Sequence, residues 1–293
     1  MIKYPTIILG GAPKCGTSSL FNWLIQHPNI SGSNPKETFY IMDEENPLSN
    51  TILNVHNDKW QNYSTFYKTS GKQMLLEATT HVIYQKTAPF ILNNLPTIPS
   101  IIFVLRNPVD RFFSSFVYSK NNLASIPANL SFDKVAKAQL YGDFKPLSEN
   151  PSGYVVGQDL LLGNYAKYIA HWLNLYPNGK VGIFFFEELI KSPEMFLKEV
   201  LEFIGQSLPE DQIDFSSKNK TKTVKNKQLH SKLRSIASYF PNGKFTKTVK
   251  ELYFRLQKGQ PETISCEIKA ELSNYYKDSN QELSELIGKK LPW

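Results

Sequence analysis

The sequence predicts a doubly wound α/β fold: one domain over residues 1–293 with a central parallel sheet flanked by helices. Three observations carry this. Short apolar runs alternate with helix-length amphipathic segments. The runs are rich in Val, Ile, Leu and Phe with little polar alternation, as strands buried on both faces of a parallel sheet must be. The first run also empties straight into a Gly/Pro-rich turn and then a helix pattern, ILGGAPKCGTSSLFNWL from Ile8 to Leu24.

Taken in order, Thr6–Leu9 is the first strand and Thr17–His27 the helix that follows the turn. Gln73–Glu77 and Ile101–Leu105 are the next strands, each bounded by turn residues. Asn107-Pro108 opens a helix over Val109–Lys120, since proline suits a first helical position. Asp110 lies in its first turn, where a carboxylate complements the helix dipole and is expected to cap. Asp159–Tyr176 is a helix, Val181–Phe186 a strand, Pro193–Ile204 a helix, and Cys266–Ile287 the last helix. Asn46–Asn57 and Asn121–Asn129 read as loops, and there are no internal repeats.

Composition narrows the class. With 41% hydrophobic and 13% aromatic residues the chain has ample core material, which excludes a disordered protein. No apolar run reaches the length of a membrane span. The start, MIKYPTIILGG, is too short and wrongly flanked for a secretion signal. Two cysteines, Cys15 and Cys266, offer no disulfide framework, so the expected compartment is the cytoplasm. The net charge of +7 is local. Ten of the 33 Lys and Arg fall between Ser216 and Lys250, where there is no Asp or Glu; the other 23 face 26 acidic residues. Such a block is a solvated face, a nucleic-acid patch, or a segment that closes over an anion.

In a doubly wound sheet ligands bind beyond the carboxyl ends of the strands. After the first strand, the amides of Gly16, Thr17 and Ser18 point toward an anion, assisted by the helix dipole. Lys14 and the hydroxyls of Thr17, Ser18 and Ser19 add charge and donors. A nucleotide triphosphatase places its lysine directly after the last glycine, followed by Ser or Thr. Here Lys14 precedes Gly16 by two residues, so the fold is P-loop-like without the nucleotidase tripeptide. The strand Ile101–Leu105 ends in Arg106 where a phosphoryl-transfer enzyme would place a magnesium-binding Asp. No metal is expected. Arg106 and Ser114, about two helical turns apart, form a second anion site.

Two anion sites and a basic segment suit a ligand with phosphates at both ends. In these residues the chain resembles the PAPS-dependent sulfotransferases, nearest the carbohydrate (heparan-sulfate type) and bacterial branch. APKCGTSSL is similar to the family loop for the 5′-phosphosulfate of 3′-phosphoadenosine 5′-phosphosulfate (PAPS), and FVLRNPVDRFFSSF to its 3′-phosphate motif. The resemblance continues through PKETFY, LLEATTHVIY, GNYAKYIAHWLNLYP, VGIFFFEELIKSPEMFLKEVLEFIG and LIGKKLPW, almost the whole chain. It implies that Lys14 contacts the sulfate-bridging oxygen, that Cys15, Gly16, Thr17, Ser18 and Ser19 complete the loop, and that Arg106 and Ser114 bind the 3′-phosphate. SSKNKTKTVKNKQL resembles the family's late loop, with Lys225 and Lys227 at its basic positions and the stretch 216–250 closing over the donor.

The reaction this implies is in-line attack of an acceptor oxygen or nitrogen on sulfur, with 3′,5′-ADP (PAP) leaving. A hydroxyl acceptor needs a positioned base. In the carbohydrate branch a glutamate in PKETFY takes that part, and Glu37 matches it; its structural alternative is an ion pair with Lys36 or Lys14. His81 is the rival base, since histidine titrates in the right range and other branches use one. Thr80 replaces the proline common in relatives after this strand, and Phe39 stands where some animal relatives carry histidine. The expected acceptor is a carbohydrate; a small metabolite, lipid or peptide with His81 as base is the alternative. A P-loop kinase or a nucleic-acid-binding protein explains fewer of these motifs, so no nucleic acid and no membrane span are expected. Trp172, Tyr165 and Trp293 read as core aromatics, and Cys15 as a loop-packing residue.

Overall fold

The strand Ile7–Gly11 (β1) is buried along its whole length at the centre of a five-stranded, all-parallel sheet. The structure, a computed structural model, describes residues 3–68, 74–123, 125–127, 129–143, 151–216 and 261–293. The other strands are β2 (Ile30–Gly32), β3 (Met74–Glu77), β4 (Ser100–Leu105) and β5 (Val181–Phe185), in the spatial order β2-β3-β1-β4-β5. Ile8 registers with Glu77 on one side and Ile101 on the other. The β1–β4 register shifts between Leu9 and Gly11, which leaves Ala12 N–H donating to the Val104 carbonyl at 2.8 Å. The central runs are buried on both faces because helices cover them, which is why their sequences lack polar alternation.

The helices, in chain order, are α1 (Thr17–Leu24), α2 (Val55–Asp58), α3 (Ala88–Asn93), α4 (Pro108–Asn121), α5 (Phe132–Leu140) and α6 (Pro151–Leu162). They are followed by α7 (Tyr165–Leu175), α8 (Phe186–Lys191), α9 (Pro193–Phe203), α10 (Cys266–Tyr275) and α11 (Lys277–Ile287). Two expectations are corrected here. The helix expected over Asp159–Tyr176 is two helices, because Gly163 and a non-helical Asn164 (ψ 72°) interrupt it. The helix expected over Cys266–Ile287 divides at Tyr276. Among the described residues no helix is long and apolar enough to cross a membrane.

The described residues gather into two compact units. The first holds residues 3–111, 164–216 and 276–293, and with them the whole sheet. Its core joins Ile8, Leu9, Ile102 and Phe103 to Leu20 and Leu24 of α1 and to Trp172 of α7. Trp172 and Tyr165 are buried, and Trp172 Nε1 donates to the Ile83 carbonyl at 3.0 Å. The Trp293 ring meets Phe185 edge-on at 5.5 Å. Trp172 and Tyr165 are core aromatics, as expected, and Trp293 packs partly buried against that core. The second unit holds residues 112–143, 151–163 and 261–275. Phe132 packs edge-on against Phe112, Phe113 and Phe116, and buried Lys120 is paired with Glu262 at 2.7 Å. Gln139 ties α5 to α6 through the Val156 carbonyl and the Leu160 amide.

Candidate active site

In the sheet order the connection from β1 runs toward β2 while that from β4 runs toward β5. Their carboxyl ends therefore border a topological switch point, where α/β sheets place ligands. The turn after β1 is held open by backbone conformation. Gly16 has a φ of 82°, which glycine adopts without penalty, and a Cβ there would lie 2.9 Å from the Phe186 ring. Lys14 also has a positive φ, 68°. For a side chain with a Cβ this costs about 1–3 kcal/mol and persists only where neighbours enforce it. Arg106, at the end of β4, is such a neighbour: its Nη1 donates to the Lys14 carbonyl at 3.3 Å.

At the head of α1 the amides of Gly16, Thr17 and Ser18 have by position no partner inside the helix. Ser19 differs, since its amide donates to the Gly16 carbonyl at 2.9 Å. Thr17 is buried, while Lys14, Ser18 and Ser19 are half-buried and reach the surface of the turn. The Cys15 amide donates to the Ala12 carbonyl at 3.3 Å, and its thiol faces inward, 3.9 Å from the Tyr165 hydroxyl. Burial pushes that thiol up to about 12, against the pull of Arg111 and Arg106. Cys15 packs the loop and is no nucleophile at neutral pH.

The half-buried Arg106 places its guanidinium 4.5 Å over the Phe186 ring, a surface on which it can stack. Asn107, not Asp110, caps α4: its side chain accepts from Val109 N–H at 3.0 Å and Asp110 N–H at 3.4 Å. Asp110 is exposed in the first turn, where its charge still suits the dipole. Asn107 is itself held by Glu187, whose Oε1 accepts its N–H at 3.0 Å. Ser114 is half-buried on α4 and belongs to the second unit; its pairing with Arg106 rests on the sequence motif. Lys225 and Lys227 lie outside the described residues.

A second cluster forms where the segment after β2 runs beside the segment after β3. Lys36 Nζ pairs with Glu37 Oε1 at 3.0 Å and donates to the Ala78 carbonyl at 3.2 Å. Thr80 donates its hydroxyl to Glu37 Oε2 at 3.2 Å. Glu37 is 31% exposed, so its carboxylate is held by protein yet open to solvent. His81 stands beside it, half-buried, with its ring edge-on to Tyr84. Burial pushes His81 down to about 4, Glu37 opposes the shift and Arg111 adds to it. His81 is thus neutral at neutral pH, and titration near neutrality no longer singles it out as a base.

Sequence reasoning missed the buried residues that hold this cluster. Glu77, read only as the end of an apolar strand, is fully buried and accepts hydrogen bonds from Thr38 and Thr79. Arg111, fully buried near Cys15 and His81, was also missed. A charged residue at the inward edge of an apolar run was the only available signal for either.

The family model described as "Sulfotransferase domain" matches residues 4–278. Human bifunctional heparan sulfate N-deacetylase/N-sulfotransferase 2 is 25% identical over 213 residues, 69% of this chain and 22% of that protein. Human heparan sulfate glucosamine 3-O-sulfotransferase 6 is 24% identical over 203 residues, 69% of this chain and 53% of that protein. The chain thus spans between about a fifth and about half the length of these relatives. The crystal structure of a sulfotransferase from Alicyclobacillus acidocaldarius has the same fold, with a TM-score of 0.68 at 19% identity over 99% of this chain and 98% of that one. With the family match running through nearly all of its length, the chain belongs to the sulfotransferase family.

Proposed function

We propose that the chain, acting as one sulfotransferase domain, moves the sulfuryl group from PAPS to a hydroxyl or amine of a carbohydrate. The observation that carries this is the bond from Arg106 to the Lys14 carbonyl. It joins the two motifs whose spacing suits a ligand with phosphates at both ends. In this reading the amides of Gly16, Thr17 and Ser18 and the hydroxyls of Thr17, Ser18 and Ser19 hold the 5′-phosphosulfate. Lys14 meets the charge that develops on the bridging oxygen as the sulfur–oxygen bond breaks. Arg106 binds the 3′-phosphate, with Ser114, Lys225 and Lys227 assigned by motif alone.

The acceptor oxygen or nitrogen attacks sulfur, 3′,5′-ADP leaves with the bond pair, and Glu37 takes the acceptor proton. The open face of Glu37 and its two donors, Lys36 and Thr80, support that role. The carbohydrate class is supported by the names of the heparan sulfate relatives. Location in the cytoplasm is inferred from the two unpaired cysteines alone.

Thermal unfolding with 3′,5′-ADP, Mg–ATP or an oligonucleotide tests the donor half. Only 3′,5′-ADP should raise Tm, and it should do so without metal. A larger response to Mg–ATP or to the oligonucleotide overturns the reading. Transfer from radiolabelled PAPS to heparan sulfate and to N-deacetylated heparan sulfate tests the acceptor half. Label on neither, with label on a phenolic or lipid alcohol, removes the carbohydrate.

A further inference from the structure

Glu77 ends β3 with no exposed surface, and its carboxylate accepts four hydrogen bonds. Oε1 accepts from the Thr79 amide at 3.1 Å and the Thr79 hydroxyl at 2.5 Å. Oε2 accepts from the Thr38 hydroxyl at 2.9 Å and the Tyr63 hydroxyl at 3.4 Å. Each threonine hydroxyl has one proton, and both are given to Glu77. The lone pairs are then free to accept, and they accept from the backbone just after Glu37. Phe39 N–H donates to Thr79 Oγ1 at 3.0 Å, and Tyr40 N–H donates to Thr38 Oγ1 at 3.1 Å. These two amides bracket Phe39, which has a φ of 53°. A left-handed residue with a Cβ persists only where its surroundings impose it.

We propose that Glu77 is a positioning residue for the transfer: through the hydroxyls of Thr38 and Thr79 it fixes the left-handed turn at Phe39 and so fixes the Glu37 carboxylate. An ionised carboxylate accepts only, and that sets the direction of both hydroxyls. Glutamine at this place turns an NH2 donor toward one hydroxyl, which must then direct its own proton away from residue 77, so the orientation that aims its lone pair at the backbone amide is no longer fixed. The effect reaches Glu37 because the other hydrogen bonds between residues 36–40 and 77–80, those of Lys36 to the Ala78 carbonyl and of Thr80 to Glu37, come from side chains that bind Glu37 itself. No strand pairing links the segments.

The inference rests on Glu37 as the base, and a double-mutant cycle separates the two. Thr38→Val, Thr79→Val and Glu77→Gln are each made alone and combined with Glu37→Gln. Transfer from PAPS to N-deacetylated heparan sulfate and to heparan sulfate is measured at saturating donor, with 3′,5′-ADP affinity alongside. Each single change should lower kcat about tenfold, within the coupling range for one hydrogen-bond network. The KM for PAPS and the 3′,5′-ADP affinity should stay constant, and Thr38→Ser and Thr79→Ser should restore kcat. In the Glu37→Gln background the same changes should add almost nothing. If they cost as much there as in the wild type, Glu77 serves only the fold and the inference is overturned while Glu37 stands. If Glu37→Gln is itself fully active, the base assignment falls and the positioning role falls with it. Should Glu77→Gln not fold, the two threonine variants decide alone.

Discussion

Arg106 grips the carbonyl of Lys14 at 3.3 Å, so a side chain at the end of β4 holds the backbone of the turn after β1. The turn needs that grip, because Lys14 sits in a left-handed conformation that favours glycine. The same guanidinium rests on Phe186 at 4.5 Å, a residue that also closes the space beside Gly16. One arginine therefore couples loop shape to the proposed 3′-phosphate site.

Lys14→Ala and Arg106→Ala should for this reason fail differently. Lys14 meets charge that appears as the leaving group departs, so its loss should lower kcat by roughly 10²–10³-fold. Its effect on 3′,5′-ADP affinity should be small. Arg106→Ala should first weaken donor binding, by about tenfold or more for a lost charge-assisted hydrogen bond. Because the Lys14 carbonyl is also released, a smaller drop in kcat should accompany it. Saturation kinetics in PAPS read both; an Arg106→Ala enzyme with wild-type KM removes the 3′-phosphate assignment.

Glu37→Gln keeps shape and removes proton acceptance, which is typically worth ~10²–10⁴-fold when the group is a general base. Donor affinity should hold, since the Glu37 cluster is built on the segments after β2 and β3. His81→Ala should cost far less, and the rate profile should show no histidine inflection near pH 6.5, because burial has moved His81 to about 4. A dead His81→Ala enzyme beside an active Glu37→Gln enzyme exchanges the two roles.

The two cysteines give a quick check on the loop. Cys15 is buried with its thiol pushed up to about 12, whereas Cys266 is exposed. A thiol reagent at neutral pH should modify one cysteine rapidly in the folded protein and both in denaturant, with Cys266 identified by peptide mapping. Rapid modification of Cys15 means that the turn after β1 opens far more than its packing against Tyr165 implies.

Four strands and the turns after β1 and β4 were legible because their signals are local. A continuous apolar run bounded by turn residues gives Ile101–Leu105, and a displaced lysine before Gly16 gives the loop. The three-residue strand Ile30–Gly32 was not legible, since a run that short carries no periodicity and owes its place to pairing with β3. The break at Gly163-Asn164 lay within an otherwise helical pattern, where a single glycine is tolerated. Asn107 took the capping role expected of Asp110 because its side chain precedes the helix and can turn back onto two amides. The Glu77 network was least visible. Its partners, Thr38 and Thr79, are 41 residues apart in sequence, and only the parallel placement of β2 and β3 brings them together.

Glu77 and His81 should leave opposite marks on stability between about pH 4 and 6.5. Burial raises Glu77 from 4.5 to about 6, so within that window the folded chain holds more protons than the unfolded one. Stability then falls as pH rises through the window, and by pH 7 ionised Glu77 has withdrawn about 2 kcal/mol, at ~1.4 kcal/mol per pKa unit. His81 is depressed from 6.5 to about 4, so the folded chain holds fewer protons there and stability rises with pH. In the wild type the two slopes partly cancel. Urea unfolding of Glu77→Gln at a series of pH values should expose the His81 slope alone, with stability increasing more steeply from pH 4.5 to 6 than in the wild type. His81→Ala should show the reverse, a stability that declines over the same interval. Parallel wild-type and Glu77→Gln profiles mean that Glu77 titrates at its ordinary position and is not desolvated by the fold.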